Sequence, residues 1–200
     1  MHIAILTFDG FNELDSLIAL GILNRIKQLG WQVSLASLSE TVTSMNGVLL
    51  HRQAPLDVIE TCEALLVGSG INTREIAMDA DVMQMLERLD PARQLVGAQC
   101  SGTLLLARLG LLDGVPGCTD LTTKPWVEEA GIEVLEQPFF AKGNIATSGG
   151  CLASIYFAAW TIARLAGREA AAEALHYVAP VGEKGAYVER AMGNIERYLS

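Results

Sequence analysis

Short apolar runs alternate along this chain with stretches whose apolar residues recur every three or four positions. The first kind, bounded by turn residues, reads as buried strand; the second reads as helix packed by one face. Residues 3–8 end in Asp9-Gly10 and predict a strand and turn. Asn12, a good helix cap, precedes Leu14, Leu17, Ile18, Ile22, Ile26 and Leu29 at helical spacing, and Gly30 stops the helix. Residues 32–38 predict a second strand. Residues 41–45 and 48–51 flank Asn46-Gly47, a hairpin signal. Residues 64–67 predict a buried strand leading into Gly68-Ser69-Gly70, 81–89 a helix and 94–98 another strand. Ser101-Gly102-Thr103 opens a helix through Leu109 that Gly110 ends. Beyond it, 124–130 reads as helix, 133–135, 139–141 and 144–147 as short strands, and Ser148-Gly149-Gly150 as a turn. A long helix from Cys151 to near Gly167 follows, and a last helical segment covers 168–176.

Strands alternating with helices predict an α/β fold with a mostly parallel sheet covered on both faces. No repeat, low-complexity run or linker divides the chain, so residues 1–200 are expected to form a single domain. Ligands of such sheets bind beyond the carboxyl ends of the strands. Loops 9–15, 68–72, 99–102 and 147–150 are expected to meet there.

Composition narrows the function. Half the residues are hydrophobic, enough for a sizeable core without metals or disulfides. The net charge is −9, from 14 basic and 23 acidic residues, and the basic ones form no stripe, which disfavours nucleic acid as a partner. Cys62, Cys100, Cys118 and Cys151 are far apart, with no CxxC pair or Cys/His cluster, so neither a zinc site nor a disulfide framework is expected. Free thiols point to a reducing compartment. The N-terminus lacks the features of a signal peptide. The longest apolar stretch, 151–163, falls short of the roughly 20 residues that span a bilayer. A cytoplasmic protein without membrane contact is expected.

The strongest chemical signal is Gly97-Ala98-Gln99-Cys100-Ser101-Gly102. A strand running straight into a helix, with small residues around a cysteine, resembles a nucleophile elbow. Its backbone N–H groups would stabilise developing negative charge, and the helix start would favour thiolate. Taken alone, the same residues also fit a small buried hydrophobe or an anion-binding turn.

Four segments in order sharpen this reading: 8–15 (Phe-Asp-Gly-Phe-Asn-Glu-Leu-Asp), Gly68-Ser69-Gly70, 98–102 with 110–114 behind it, and Ala146-Thr147-Ser148-Gly149-Gly150. Together they resemble the DJ-1/PfpI superfamily, in the branch holding isonitrile hydratases and the sensor-like halves of some AraC-type regulators. The resemblance implies a flavodoxin-like three-layer sandwich, a homodimer, a small-molecule substrate, and neither cofactor nor metal. It implies Cys100 as nucleophile with Asp15 beside it as general acid/base, and Glu13 as a weaker competitor on another helical face. Ser101 stands where hydratase-like members carry Thr and keeps the hydroxyl. The backbone N–H groups of Ser101 and Gly70 are the expected oxyanion donors. The expected pocket comprises Ile71, Gln99, Thr123, Lys124, Gly150 and Cys151.

The implied reaction is isonitrile to N-substituted formamide through a Cys100 thioimidate. A non-enzymatic or redox-sensing protein, and a glyoxalase or deglycase acting on α-oxoaldehydes, are the alternatives. A stand-alone DNA-binding regulator is not expected, because Ser200 leaves no room for a helix-turn-helix domain. Two departures matter. The family's Thr-Thr-His-Trp reads Thr122-Thr123-Lys124-Pro125-Trp126 here, which replaces an imidazole by a cation. Ser101, not His, follows Cys100, and His2, His51 and His176 are distant in sequence, which disfavours a Cys–His hydrolase. Cys62, Cys118 and Cys151 all read as core by default, with Cys151 the exception that an approach of the Gly-Gly turn to the site would single out. Trp31, Trp126, Trp160 and Phe139-Phe140 read as core or interface.

Overall fold

The computed structural model describes residues 1–199, with residues 27–29 described by backbone alone. Ser200 of the expected domain, and Leu29 as a core-facing side chain, lie outside the described residues. The strands are β1 His2–Leu6, β2 Gln32–Ser37, β3 Thr41–Thr43, β4 Leu49–His51, β5 Ala54–Pro55, β6 Ala64–Val67, β7 Leu95–Gln99, β8 Phe139–Lys142 and β9 Ile145–Ser148. The helices are α1 Glu13–Leu23, α2 Thr73–Ile76, α3 Ala80–Leu86, α4 Thr103–Arg108, α5 Lys124–Glu129, α6 Ser154–Ala166, α7 Arg168–Val178 and α8 Lys184–Ile195.

Seven strands form one sheet in the order β5-β2-β1-β6-β7-β9-β8, and β3 and β4 form a separate antiparallel ribbon. Every neighbour in the large sheet is parallel except β8 against β9. The central strand β6 is buried on both faces, which is why its sequence is an unbroken apolar run. Alternate residues of the sheet serve opposite cores. Ile3, Ile5, Leu66 and Ala146 join Phe157, Trp160, Leu175 and Ile195 under α1, α6, α7 and α8. Ala4, Leu6, Leu65, Val96 and Ala98 meet Val82, Leu105, Leu106 and Val127 of α3, α4 and α5. The result is the expected flavodoxin-like α/β sandwich.

Several elements depart from expectation. The first helix ends at Leu23, and Asn24 to Leu29 continue as a kinked 3-10 segment. The Asn24 side chain donates to the Leu20 carbonyl at 2.8 Å, a local bond that competes with helix continuation. The strand expected at 133–135 is a single bridge between Val134 and Gly117, because only Glu133 and Leu135 find backbone partners there. The segment after α7 forms α8, an unanticipated helix that packs Ala191 and Ile195 against the core. β5 and α2, of two and four residues, were likewise not foreseen.

Candidate active site

The elbow forms where β7 stops. Gln99 is still extended, at φ −113° and ψ 136°. Cys100 then turns to φ +47°, the one left-handed non-glycine conformation among the described residues. Such a conformation costs an L-residue roughly 1–2 kcal/mol, so its surroundings must hold it. Thr119 does so in part, its hydroxyl donating to the Cys100 carbonyl at 2.8 Å. Glycines allow the close approach that the turn requires. A Cβ at Gly102 would sit 2.5 Å from the Gly68 carbonyl oxygen, and one at Gly97 would overlap the Phe157 ring at 1.8 Å.

Asp15 reaches the elbow from α1. Asn12 caps that helix, its side-chain oxygen accepting the Leu14 N–H at 3.0 Å. The cap sets the first turn so that Asp15 faces inward, with 0 % exposure. Its Oδ2 accepts the Ser69 hydroxyl, while Oδ1 is buried with no hydrogen-bond partner. The third member is Cys151, in the 3-10 turn that precedes α6, where the Asn12 amide donates to its sulfur at 3.1 Å. A carboxylate oxygen of Asp15 and the sulfurs of Cys100 and Cys151 all lie within 4.8 Å of one another.

Burial controls the protons here. It raises the Asp15 carboxyl above its ordinary value, with the hydrogen bond from Ser69 opposing the shift. Burial, followed by the neighbouring Asp15 charge, pushes the Cys100 thiol far above the usual range. At 4 % exposure and beside an acid, the Cys100 sulfur sits where burial and the Asp15 charge both oppose the thiolate that the helix start was expected to favour. Burial also raises Cys151. Asp15, Cys100 and Cys151 are the group of potential metal ligands among the described residues. A metal would have to strip protons from two thiols that burial holds in place.

A cavity of about 400 Å³ opens over the elbow, bordered by Asn12, Met45, Ile71, Asp120, Thr122 and Trp126. Of the residues expected at the site, Cys100, Ser101, Gly70, Ile71, Thr123 and Cys151 line it, and Asp15 lies behind Cys100. Gln99, Lys124 and Gly150 do not. Gln99 is buried at the sheet end with its amide unpartnered. Lys124 lines a neighbouring space and stands 3.8 Å from Glu128, and Gly150 lines spaces on either side. The Gly70 N–H, an expected oxyanion donor, is already taken: it donates to the hydroxyls of Thr73 and Ser101 at 3.1 Å each.

Met45, Asp120, Thr122 and Trp126 were not anticipated as lining residues. Met45 arrives with the β3–β4 ribbon, whose backbone pairs with Gly10 and Phe11. Glu13, the competing acid, fixes that ribbon by accepting from Ser44 and Asn46, and those bonds hold its pKa low. Asp120 accepts the N–H groups of Thr122 and Thr123 and so shapes the far wall. Trp126, expected in core or interface, lines the cavity with the Arg74 guanidinium 5.1 Å from its ring centre. His2 lies at the start of β1, bonded to Ser34, and no histidine lines the cavity.

Comparison with known proteins gives one consistent family. A family model described as the DJ-1/PfpI family matches residues 1–164. A deglycase from Thermococcus kodakarensis is 25% identical over 151 residues, covering 74% of this chain and 89% of that protein. Among solved structures, Schizosaccharomyces pombe DJ-1 superposes with a TM-score of 0.79 at 16% identity, covering 90% of this chain and 100% of that one. A ThiJ/PfpI family protein from Pseudomonas syringae gives 0.76 at 21% identity, covering 99% and 88%. An AraC family transcriptional regulator from Pseudomonas putida gives 0.77 at 16%, covering 89% and 99%.

Proposed function

The chain belongs to the DJ-1/PfpI family, and we propose that it is a cysteine-dependent enzyme for small uncharged electrophiles, with isonitrile hydration as its leading reaction. The observation that carries the reading is a fully buried acid, Asp15, beside the Cys100 sulfur at the base of a cavity. Among the described residues no basic side chain lines that cavity, so it offers no cationic partner for an anionic substrate. Met45, Ile71 and Trp126 offer apolar walls to an alkyl or aryl group.

An isonitrile carbon needs a nucleophile and a proton together. Cys100 Sγ adds to that carbon while Asp15 takes the thiol proton and delivers one to the same carbon, giving R–N=CH–S–Cys. Water then adds to the thioimidate carbon. The C–S bond breaks, the sulfur recovers its proton, and R–NH–CHO leaves. The Ser101 N–H, in the first helical turn where no intrahelical acceptor exists, supports the charge that develops. The Ser101 hydroxyl instead ties the elbow to Thr73 at 2.7 Å.

The Thermococcus deglycase favours a second reading. The same thiol adding to the aldehyde of an α-oxoaldehyde would give a hemithioacetal, with Asp15 moving the protons. Incubation with an aryl isonitrile, followed for formamide by NMR, and with methylglyoxal, followed for its loss, tests both. Formamide without methylglyoxal loss supports the leading reading, and the reverse supports the second.

The proposal includes a second copy of the chain. Leu14 and Leu17 on α1, and Val48 and Leu49 at the ribbon, are exposed large apolar residues on segments that Glu13 ties together. A second subunit covering this patch would remove it from water.

A further inference from the structure

Cys151 has no part in the reaction above, yet its sulfur shares the site. We propose that Cys151 is the resolving thiol of Cys100, so that a hydroperoxide converts the pair into an intramolecular disulfide. The two sulfurs lie within 4.8 Å and open onto the same cavity. A disulfide needs about 2.05 Å between sulfurs, so one must move by a few ångströms at most. The movement required is a rotation of the Cys151 side chain, which is only partly buried and lines the cavity at the elbow. The Asn12 amide, 3.1 Å from the Cys151 sulfur, supports the negative charge that sulfur holds once its proton has left and before it attacks. Cys62 and Cys118 make the contrast: both are fully buried, and neither lines the cavity.

The chemistry balances with a hydroperoxide as the oxidant. Cys100 gives its thiol proton to Asp15 and attacks the terminal oxygen of ROOH. The O–O bond breaks, the S–O bond forms, and ROH leaves with the proton that Asp15 received from Cys100. Cys151 then attacks the Cys100 sulfur. The S–S bond forms as the S–O bond breaks, and the hydroxyl leaves as water with a proton from Asp15, which takes up that of the Cys151 thiol. Reversal has its own approach. Cys151 also lines a second cavity of about 400 Å³, with Tyr156, Tyr187 and Arg190, through which a small thiol reaches its sulfur and releases Cys100. While the disulfide stands, no nucleophile is available.

The test oxidises the reduced full-length protein with a small excess of hydrogen peroxide and reads intact mass and non-reducing peptide maps. The expected result is a loss of two hydrogens, a peptide joining Cys100 to Cys151, and full reversal by dithiothreitol. In Cys151→Ser and Cys151→Ala the same treatment adds oxygens to Cys100 that dithiothreitol does not remove completely. Wild-type protein that accumulates Cys100 sulfinic acid as fast as these variants, with no joined peptide, overturns the proposal. The readout is independent of turnover. A linked but inactive protein defeats the proposed activity alone, and an active, unlinked one defeats this inference alone.

Discussion

The Asp15 carboxyl, shut off from solvent, lies within 4.8 Å of the Cys100 sulfur. The acid comes from α1 on one face of the sheet, and the sulfur from the elbow that feeds α4 on the other. Asp15→Asn keeps an acceptor for Ser69 but removes the charge that, after burial, does most to hold the proton on Cys100. The thiol pKa is therefore expected to fall. Iodoacetamide alkylation of Cys100 followed against pH should show its rise at lower pH in the variant; an unchanged profile contradicts the coupling.

Stability carries the opposite signature. A carboxyl raised by burial binds its proton more tightly folded than unfolded, so stability falls as pH climbs from the ordinary 3.8 through the raised value. Asp15 thus costs stability at pH 7 relative to pH below 3.8. Asp15→Asn should therefore melt higher than wild type at pH 7, with the gap closing below pH 3.8. A lower melting point at pH 7 would contradict this.

The elbow tests packing. Gly102→Ala places a methyl 2.5 Å from the Gly68 carbonyl oxygen and 2.9 Å from that of Val67, both backbone atoms that cannot swing away. Overpacking of this kind costs about 1–3 kcal/mol, or several degrees in Tm. Gly21→Ala, within α1 and with nothing within 4 Å, should stabilise by about 0.5–1 kcal/mol. Thermal melts of both variants check the pair.

The dimer proposal is tested at its apolar patch. Leu17→Glu and Leu49→Glu put charges on residues 36% and 61% exposed in the isolated chain, so folding should survive. Light scattering after gel filtration should find wild type as a dimer and the double variant shifted toward monomer. A monomeric wild type would refute the proposed second copy.

How far the sequence could be read depends on where each residue's partners lie. The β6 run, the Asn12 cap and the glycines around Cys100 carry their geometry locally, and each was legible. The facing of adjacent residues was not. Thr123 turns into the cavity and Lys124 away from it, because successive residues at a helix start point about 100° apart. Met45 reaches the site through the ribbon's pairing with Phe11, a long-range arrangement without a sequence signature, whereas Asp120 closes a local turn on Thr122 whose place over the cavity depends on the packing of distant elements. In α8 the helical spacing of Val188, Ala191, Met192 and Ile195 is present, but Gly185, Gly193 and the charged residues between them mask it.

The most direct measurement is formamide production from an aryl isonitrile by wild type, Cys100→Ala and Asp15→Asn at pH 7. Turnover by wild type, none above background in Cys100→Ala, and a loss of about 10²–10⁴-fold in Asp15→Asn is the expected result. Activity that survives in Cys100→Ala, or that is the same with and without the buried carboxyl, would contradict the pairing of acid and thiol as the catalytic unit.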